Sequence, residues 1–429
     1  MMEVLFGKNG RQDSLAFENV RVVDPARGLN ETLTVRVEQG VIAALEPATA
    51  PANGKLLAPA FVDPHVHLRT PGREDEEDLA SGTRAAAAGG YCAILAMPNT
   101  DPVVDSASVL GALAEQAERE AEIPVGFLAA ITKAQQGAEL TEMVELADRG
   151  AAGFSDDGRP VVAPGLVRRA LEYSAAAGRP VAVHCEEPTL SRGGHVHEGL
   201  VSAEFGFGGY PSVAESVMVA RDLALAGYEA RPLHLLHLSA RESVDELRRA
   251  RALGVQATAE VTPHHLCLTD DAVRSLDPNV KMNPPLRADE DRAALLEGLL
   301  DGTIEAIATD HAPHAREEKE VPFEEAPFGV TGLETAFSAL YTQLVEPGVI
   351  PLATLLERLS AGPARIYGLE PPAIEVGARA NLVLLDLDAV WHVDEGSFRS
   401  KSANSWLLGS KLHGRVVQTV AAGRLVHGA

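Results

Sequence analysis

Short apolar runs return through the middle of the chain, and segments of helical period lie between them. The runs cover 91–99 (YCAILAMPN), 123–131 (IPVGFLAAI), 151–157 (AAGFSDD), 180–186 (PVAVHCE), 232–239 (PLHLLHLS), 255–265 (VQATAEVTPHH) and 304–311 (IEAIATDH). An eighth, 56–69 (LLAPAFVDPHVHLR), precedes them. Between them, segments such as 163–177, 212–226, 242–253 and 289–300 carry Ala, Leu, Arg and Glu at helical spacing. Eight strands alternating with helices predict an α/β fold, a TIM (β/α)8 barrel. The competing doubly wound sheet calls for a Gly-rich phosphate loop after its first strand, where this chain has two histidines.

The two ends are written differently. Residues 15–57 and the tail from about 374 consist of short β-branched runs punctuated by Gly, Asn and Asp-Pro, the pattern of antiparallel strands and turns. The expected organisation is therefore a composite β-sandwich domain from residues 1–57 and 374–429 flanking a barrel of 58–373. Residues before 15 carry no usable pattern.

Composition limits the partners. A formal charge of −24 supplies no basic patch for nucleic acid or an anionic membrane, so an anionic substrate must find its positive charge locally. The first fourteen residues lack the apolar core of a signal peptide, and no stretch approaches the roughly 20 apolar residues of a membrane span. Cys92, Cys185 and Cys267 lie in apolar runs without a CxxC pattern, which fits core packing in a reducing compartment. The expectation is a cytoplasmic protein that binds neither membrane nor nucleic acid.

In a barrel, chemistry gathers at the C-terminal ends of the strands. His65 and His67 stand there after the first run, with Arg69 in the same alternating phase, so all three are expected on one face. Asp157, His184, His237 and Asp310 close the fourth, fifth, sixth and eighth runs. Two neutral imidazoles on a rigid face suit Zn²⁺ better than oxygen-seeking Mg²⁺ or Ca²⁺. The set predicts a two-metal site, with His65, His67 and Asp310 around one ion, His184 and His237 around the other, and Asp157 bridging. Asp156 competes with Asp157, because strand alternation lets only one of the pair face the metals.

The segments PAFVDPHVHLR, MPNT, FSDDG, VHCE, HLS and ATDHAPH resemble the amidohydrolase superfamily, and within it the bacterial class I dihydroorotases, over essentially the whole chain. That resemblance implies metal ligation by His65, His67, Asp157, His184, His237 and Asp310, with one or two zinc ions per subunit and two expected. Many cyclic amidases of the superfamily bridge their metals with a carboxylated lysine; the GAAGFSDDG segment has no lysine, which leaves the aspartate bridge of the class I kind. The implied activity is the reversible cyclisation of N-carbamoyl-L-aspartate to L-dihydroorotate in de novo pyrimidine synthesis, with Asp310 as ligand and proton shuttle. Arg69 can grip a carboxylate through its guanidinium fork, and the resemblance adds Asn99 and His314 to that site and Asn283 to the ring. Segment 316–330 (REEKEVPFEEAPFGV) reads as a loop over the site whose backbone around Phe328 and Gly329 touches the ring. An allantoinase or hydantoinase is the rival enzyme, disfavoured by the missing lysine and by the pairing of Arg69 with Asn99. A dead subunit that only scaffolds aspartate carbamoyltransferase is the rival from another class, but all six ligand positions are kept. An active partnership with that transferase stays open, and a homo-oligomer is expected.

Overall fold

The computed structural model describes residues 4–8 and 13–428. The expectation about a leader segment therefore falls partly outside the described residues. Among them, no helix is long and apolar enough to cross a membrane.

Four strands precede the barrel: β1 (Leu15–Asp24), β2 (Leu29–Glu38), β3 (Val41–Pro47) and β4 (Leu56–Pro59). The barrel strands are β5 (Phe61–Val66), β6 (Tyr91–Ala96), β7 (Val125–Ala129), β8 (Gly153–Ser155), β9 (Val181–Val183), β10 (Leu233–Leu235), β11 (Ala257–Val261) and β12 (Ala306–Ile307). Each falls inside one of the eight apolar runs, and each pairs in parallel with the next in chain order. A parallel bridge from Val66 to His311 joins the last run to the first and closes the barrel. The helices Pro164–Ala177, Val213–Glu229, Arg241–Ala252 and Asp289–Asp301 occupy the segments of helical period.

The tail adds β13 (Leu382–His392), β14 (Lys411–Ala421) and β15 (Arg424–His427). These three join β1–β4 in one seven-stranded sheet in which β4 lies between β1 and β13, so the two ends of the chain meet. The sheet returns on itself at β3, where Ile42 N–H donates to Ala378 O at 2.9 Å and Ala380 N–H to Gly40 O at 2.9 Å. Period-two alternation divides its residues between two cores. Val22, Leu57, Leu382 and Val420 face an inner cluster with Val35 and Ile42, while their neighbours Val23, Leu56, Val383 and Ala421 pack into the barrel core.

The run 56–69 is thus two strands rather than one. β4 serves the flanking sheet, β5 serves the barrel, and only Ala60 separates them. Phe61 fills the seam: it is fully buried, its ring 5.7 Å from those of Tyr91 and Phe337. Gly90, at φ 94°, has to be glycine there, since a Cβ would stand 2.9 Å from the Phe61 ring and 3.0 Å from Val383.

At the opposite end of the barrel, residues 4–8 form a floor that the sequence did not announce. Phe6 exchanges backbone hydrogen bonds with Val125 at 2.8 and 2.7 Å and stacks on Phe127, while Val4 and Leu5 pack beneath the interior cluster of Leu95, Met97, Leu128 and Leu236.

Removal of the Phe61 ring leaves a cavity at the seam that neither sheet can fill. Phe61→Ala is expected to cost about 3–5 kcal/mol, read as a lowered urea midpoint for global unfolding; a cost below about 1 kcal/mol would show that the seam is not load-sharing.

Candidate active site

The six expected metal ligands converge at the C-terminal mouth of the barrel. Asp157 sits at the centre, and its two oxygens face different groups. Oδ2 lies 3.6 Å from His65 Nε2 and 3.5 Å from His67 Nε2, while Oδ1 lies 3.5 Å from His184 Nδ1 and 3.3 Å from His237 Nε2. Asp310 Oδ1 completes the first group at 3.0 Å from His67 Nε2 and 3.5 Å from His65 Nε2. His184 Nδ1 and His237 Nε2 are 3.0 Å apart. Asp156 points away, accepting hydrogen bonds from Ile131 N–H at 2.8 Å, Thr132 N–H at 3.1 Å and the Thr132 hydroxyl.

These distances suit a metal. A tetrahedral zinc ion with bonds of about 2.0–2.1 Å keeps its ligand atoms roughly 3.3 Å apart. His65 Nε2 is buried with no hydrogen-bond partner, and it is aimed at the two aspartates. An orphaned buried nitrogen of this kind needs a partner, and a cation between the carboxylates provides one.

The opposite edges of the imidazoles are held from behind. His65 Nδ1 meets Glu260 Oε1 at 2.7 Å, His67 Nδ1 meets Asn99 Oδ1 at 2.9 Å, and His184 Nε2 meets Glu186 Oε2 at 3.0 Å. Such contacts fix which nitrogen faces the metal and make it more basic. Glu260 also takes His234 Nε2 at 3.0 Å on its other oxygen. Burial alone would raise the pKa of Glu260, but hydrogen bonds from His234 and His65 hold it at about 2. Glu186 is likewise held at about 2 against its burial, by His184, Ser191 and Asn283. Burial would lower the His184 imidazole, yet Asp157 and Glu186 carry it up to about 10. Asp157 and Asp310 stay below the usual carboxylate range despite burial, chiefly because of the charge on His65. The carboxylates are thus held ionised by the imidazoles that face them.

Every expected substrate contact, Arg69, Asn99, Asn283, His314, Phe328 and Gly329, lines one cavity of about 180 Å³ together with His67, Asp157, His184, His237 and Asp310. His65 lies beneath its floor with no exposure. β5 ends at Val66, so His67 and Arg69 leave the strand on which alternation placed them. Arg69, at φ 58°, turns the chain, and its Nε is held by Pro313 O at 3.0 Å and Glu76 Oε2 at 2.9 Å. Asn99 turns out to be a support for His67 as well as part of the wall. His314 Nε2 lies 2.8 Å from Phe328 O, so it is the donor there, and its 3.4 Å approach to Arg69 Nη2 is not a hydrogen bond. Glu76, His314 and Glu318 also come close enough to suggest a second cation site, but Arg69 and Arg73 already neutralise that cluster.

Glu260, Glu186 and Asp63 were missed in the sequence. Asp63 is wholly buried and ties the first run to the last, accepting from His65 N–H and Thr309 N–H, each at 3.1 Å, and from the Thr309 hydroxyl at 2.5 Å. Each carried a signal: Asp63 and Glu186 lie two residues from a ligand in the same alternating phase, and Glu260 is a lone charge inside an apolar strand run.

A TIM barrel with four histidines and two aspartates gathered at its mouth, behind a flanking sheet made from both chain ends, is the architecture of the metal-dependent amidohydrolases. Comparison with known proteins narrows this. Residues 54–243 match the model of the dihydro-orotase-like family. Relatives include the dihydroorotases of Geotalea daltonii, 45% identical over 95% of this chain and 97% of that one, and of Pelotomaculum thermopropionicum, 45% identical over 94% and 96%. Among solved structures, the L-hydantoinase of Arthrobacter aurescens superposes with a TM-score of 0.85 at 26% identity, covering 96% of this chain and 95% of that one. The chain belongs to the dihydroorotase family.

Substituting Glu260 by glutamine keeps the shape but leaves only one acceptor oxygen for two imidazoles. Glu260→Gln is expected to weaken metal binding by about 10- to 100-fold, measured by competition against a chromogenic chelator; unchanged affinity would remove Glu260 from the support of the site.

Proposed function

We infer that the protein is a dihydroorotase, interconverting N-carbamoyl-L-aspartate and L-dihydroorotate in pyrimidine synthesis, and that two zinc ions are held by His65, His67 and Asp310 on one side and His184 and His237 on the other, with Asp157 between. The observation that carries the metal assignment is the division of Asp157, one oxygen toward each pair of imidazoles. When bound, zinc supplies Lewis acidity, bringing the pKa of water from 15.7 toward about 7 and polarising the amide carbonyl.

The remaining work falls to side chains. Asp310 is ionised, lies 3.0 Å from His67 Nε2 and borders the cavity, which suits it to take a proton on its carboxylate and return it to the departing ring nitrogen. Arg69 brings a guanidinium to the cavity wall whose Nε is anchored and whose outer nitrogens are directed to a substrate carboxylate, with Asn99 and His314 beside it. Asn283 offers a buried, unpartnered Oδ1, an acceptor for a ring N–H, while its Nδ2 donates to Glu186 at 3.1 Å. Three free cysteines fit a cytoplasmic location.

Turnover of dihydroorotate by the metal-loaded enzyme, abolished by chelation and restored by zinc, tests the assignment directly; turnover that survives complete metal removal would sink it. Asp310→Asn, normalised to bound metal, is expected to lose about 10²- to 10⁴-fold in kcat. Arg69→Met is expected to retain zinc while weakening substrate binding by about 1.5–3 kcal/mol, seen as a raised KM; an unchanged KM would place the carboxylate elsewhere.

A further inference from the structure

Two buried lysines lie just outside the cavity, and neither forms an ion pair among the described residues. Lys281 is 2% exposed and Lys319 is 7% exposed. A buried ammonium without a carboxylate partner is a costly choice where packing alone is needed, since a methionine would fill the same space. Both find main-chain carbonyls instead. Lys281 Nζ donates to Phe323 O at 2.9 Å and Glu324 O at 2.8 Å, with the Phe328 ring 4.8 Å away. Lys319 Nζ donates to Pro278 O at 3.1 Å and Pro327 O at 2.7 Å.

The four carbonyls belong to only two segments, 278–283 and 323–329. Lys281 reaches from the first to the second, and Lys319 joins the second to the first from a short helix between the metal run and the second segment. Gly329 N–H closes the same seam on Lys281 O at 2.8 Å. One segment carries Asn283 and the other carries Phe328 and Gly329, and all three line the cavity. We propose that Lys281 and Lys319 are positioning residues that staple these two walls together and so set the spacing in which the substrate ring is held. The inference rests on the reading of Asn283, Phe328 and Gly329 as substrate contacts.

The chemistry of lysine fits this task. Whether ammonium or neutral amine, lysine Nζ carries at least two N–H donors, so it can hold two carbonyls from separate segments where an apolar side chain of the same length holds none. Neither lysine lies on a ligand-bearing barrel strand, and the four carbonyls they hold belong to none of the metal-facing residues, so loss of the staple is expected to act on recognition first.

The test uses the full-length, metal-loaded enzyme. Lys319→Met is expected to keep its zinc content, raise KM for dihydroorotate about tenfold, the equivalent of one charge-assisted hydrogen bond, and leave kcat within about threefold. Amide exchange over 321–329, including Gly329, should quicken, and Lys319→Arg should restore both KM and protection. Lys281→Met carries the same expectations and decides the matter if Lys319→Met does not fold. An unchanged KM, or a lowered melting temperature with KM and exchange as in the wild type, would overturn the staple. Asn283→Ala serves as the reference: if its KM is unchanged the reading of the wall falls, while quickened exchange in the lysine variants still judges the staple itself.

Discussion

Each of the metal-facing imidazoles His65, His67 and His184 has its second nitrogen occupied from behind, by Glu260, Asn99 and Glu186. The rest of the site depends on that occupation. A histidine on a short strand end has two ring nitrogens and rotates freely between them, and without a fixed partner neither tautomer nor direction is determined. Glu260 sits in a fully buried position, a charge the barrel interior tolerates because His65 and the neighbouring His234 both donate to it. The metal site is therefore an interior property of the barrel that surfaces at its mouth.

Backbone geometry is recruited to the same end. Arg69, His237 and Asp310 all adopt positive φ, at 58°, 29° and 49°. For residues with a Cβ such conformations cost of order 1–3 kcal/mol and persist only where the surroundings over-determine them. Asp310 is held between the Thr309 hydrogen bonds to Asp63 and the bridge from His311 to Val66. The first and last runs of the barrel are thus clamped together directly below the two residues that must face each other.

Much of this was legible in the sequence. Helical and strand periods are local signals, and eight apolar runs, five of them closed by the expected ligands, specified both the barrel and the mouth at which chemistry occurs. Alternation alone says that Asp156 and Asp157 diverge but not which of them turns inward; the resemblance chose Asp157, and the Thr132 contacts turn Asp156 away. The supporting carboxylates were harder still. Glu260 lies 195 residues from His65, and only closure of the sheet brings them to 2.7 Å. Strand ends were overestimated for a physical reason: the runs stay apolar beyond their last ladder hydrogen bond because the catalytic loops that follow are themselves buried. The division of 56–69 between two sheets escaped notice because a run buried on both faces looks the same whether it serves one sheet or two.

The floor built by residues 4–8 has a consequence for traffic. With Phe6 paired to Val125, Val4 and Leu5 pack against the buried cluster of Leu95, Met97, Leu128, Leu236 and Tyr367 that fills the barrel interior. Cyclic and open-chain forms of a reversible reaction then enter and leave by the mouth, where the cavity lies. Both forms bind the same cavity and compete for it, so an abundant form slows turnover of its counterpart, while net direction follows their concentration ratio relative to the equilibrium constant.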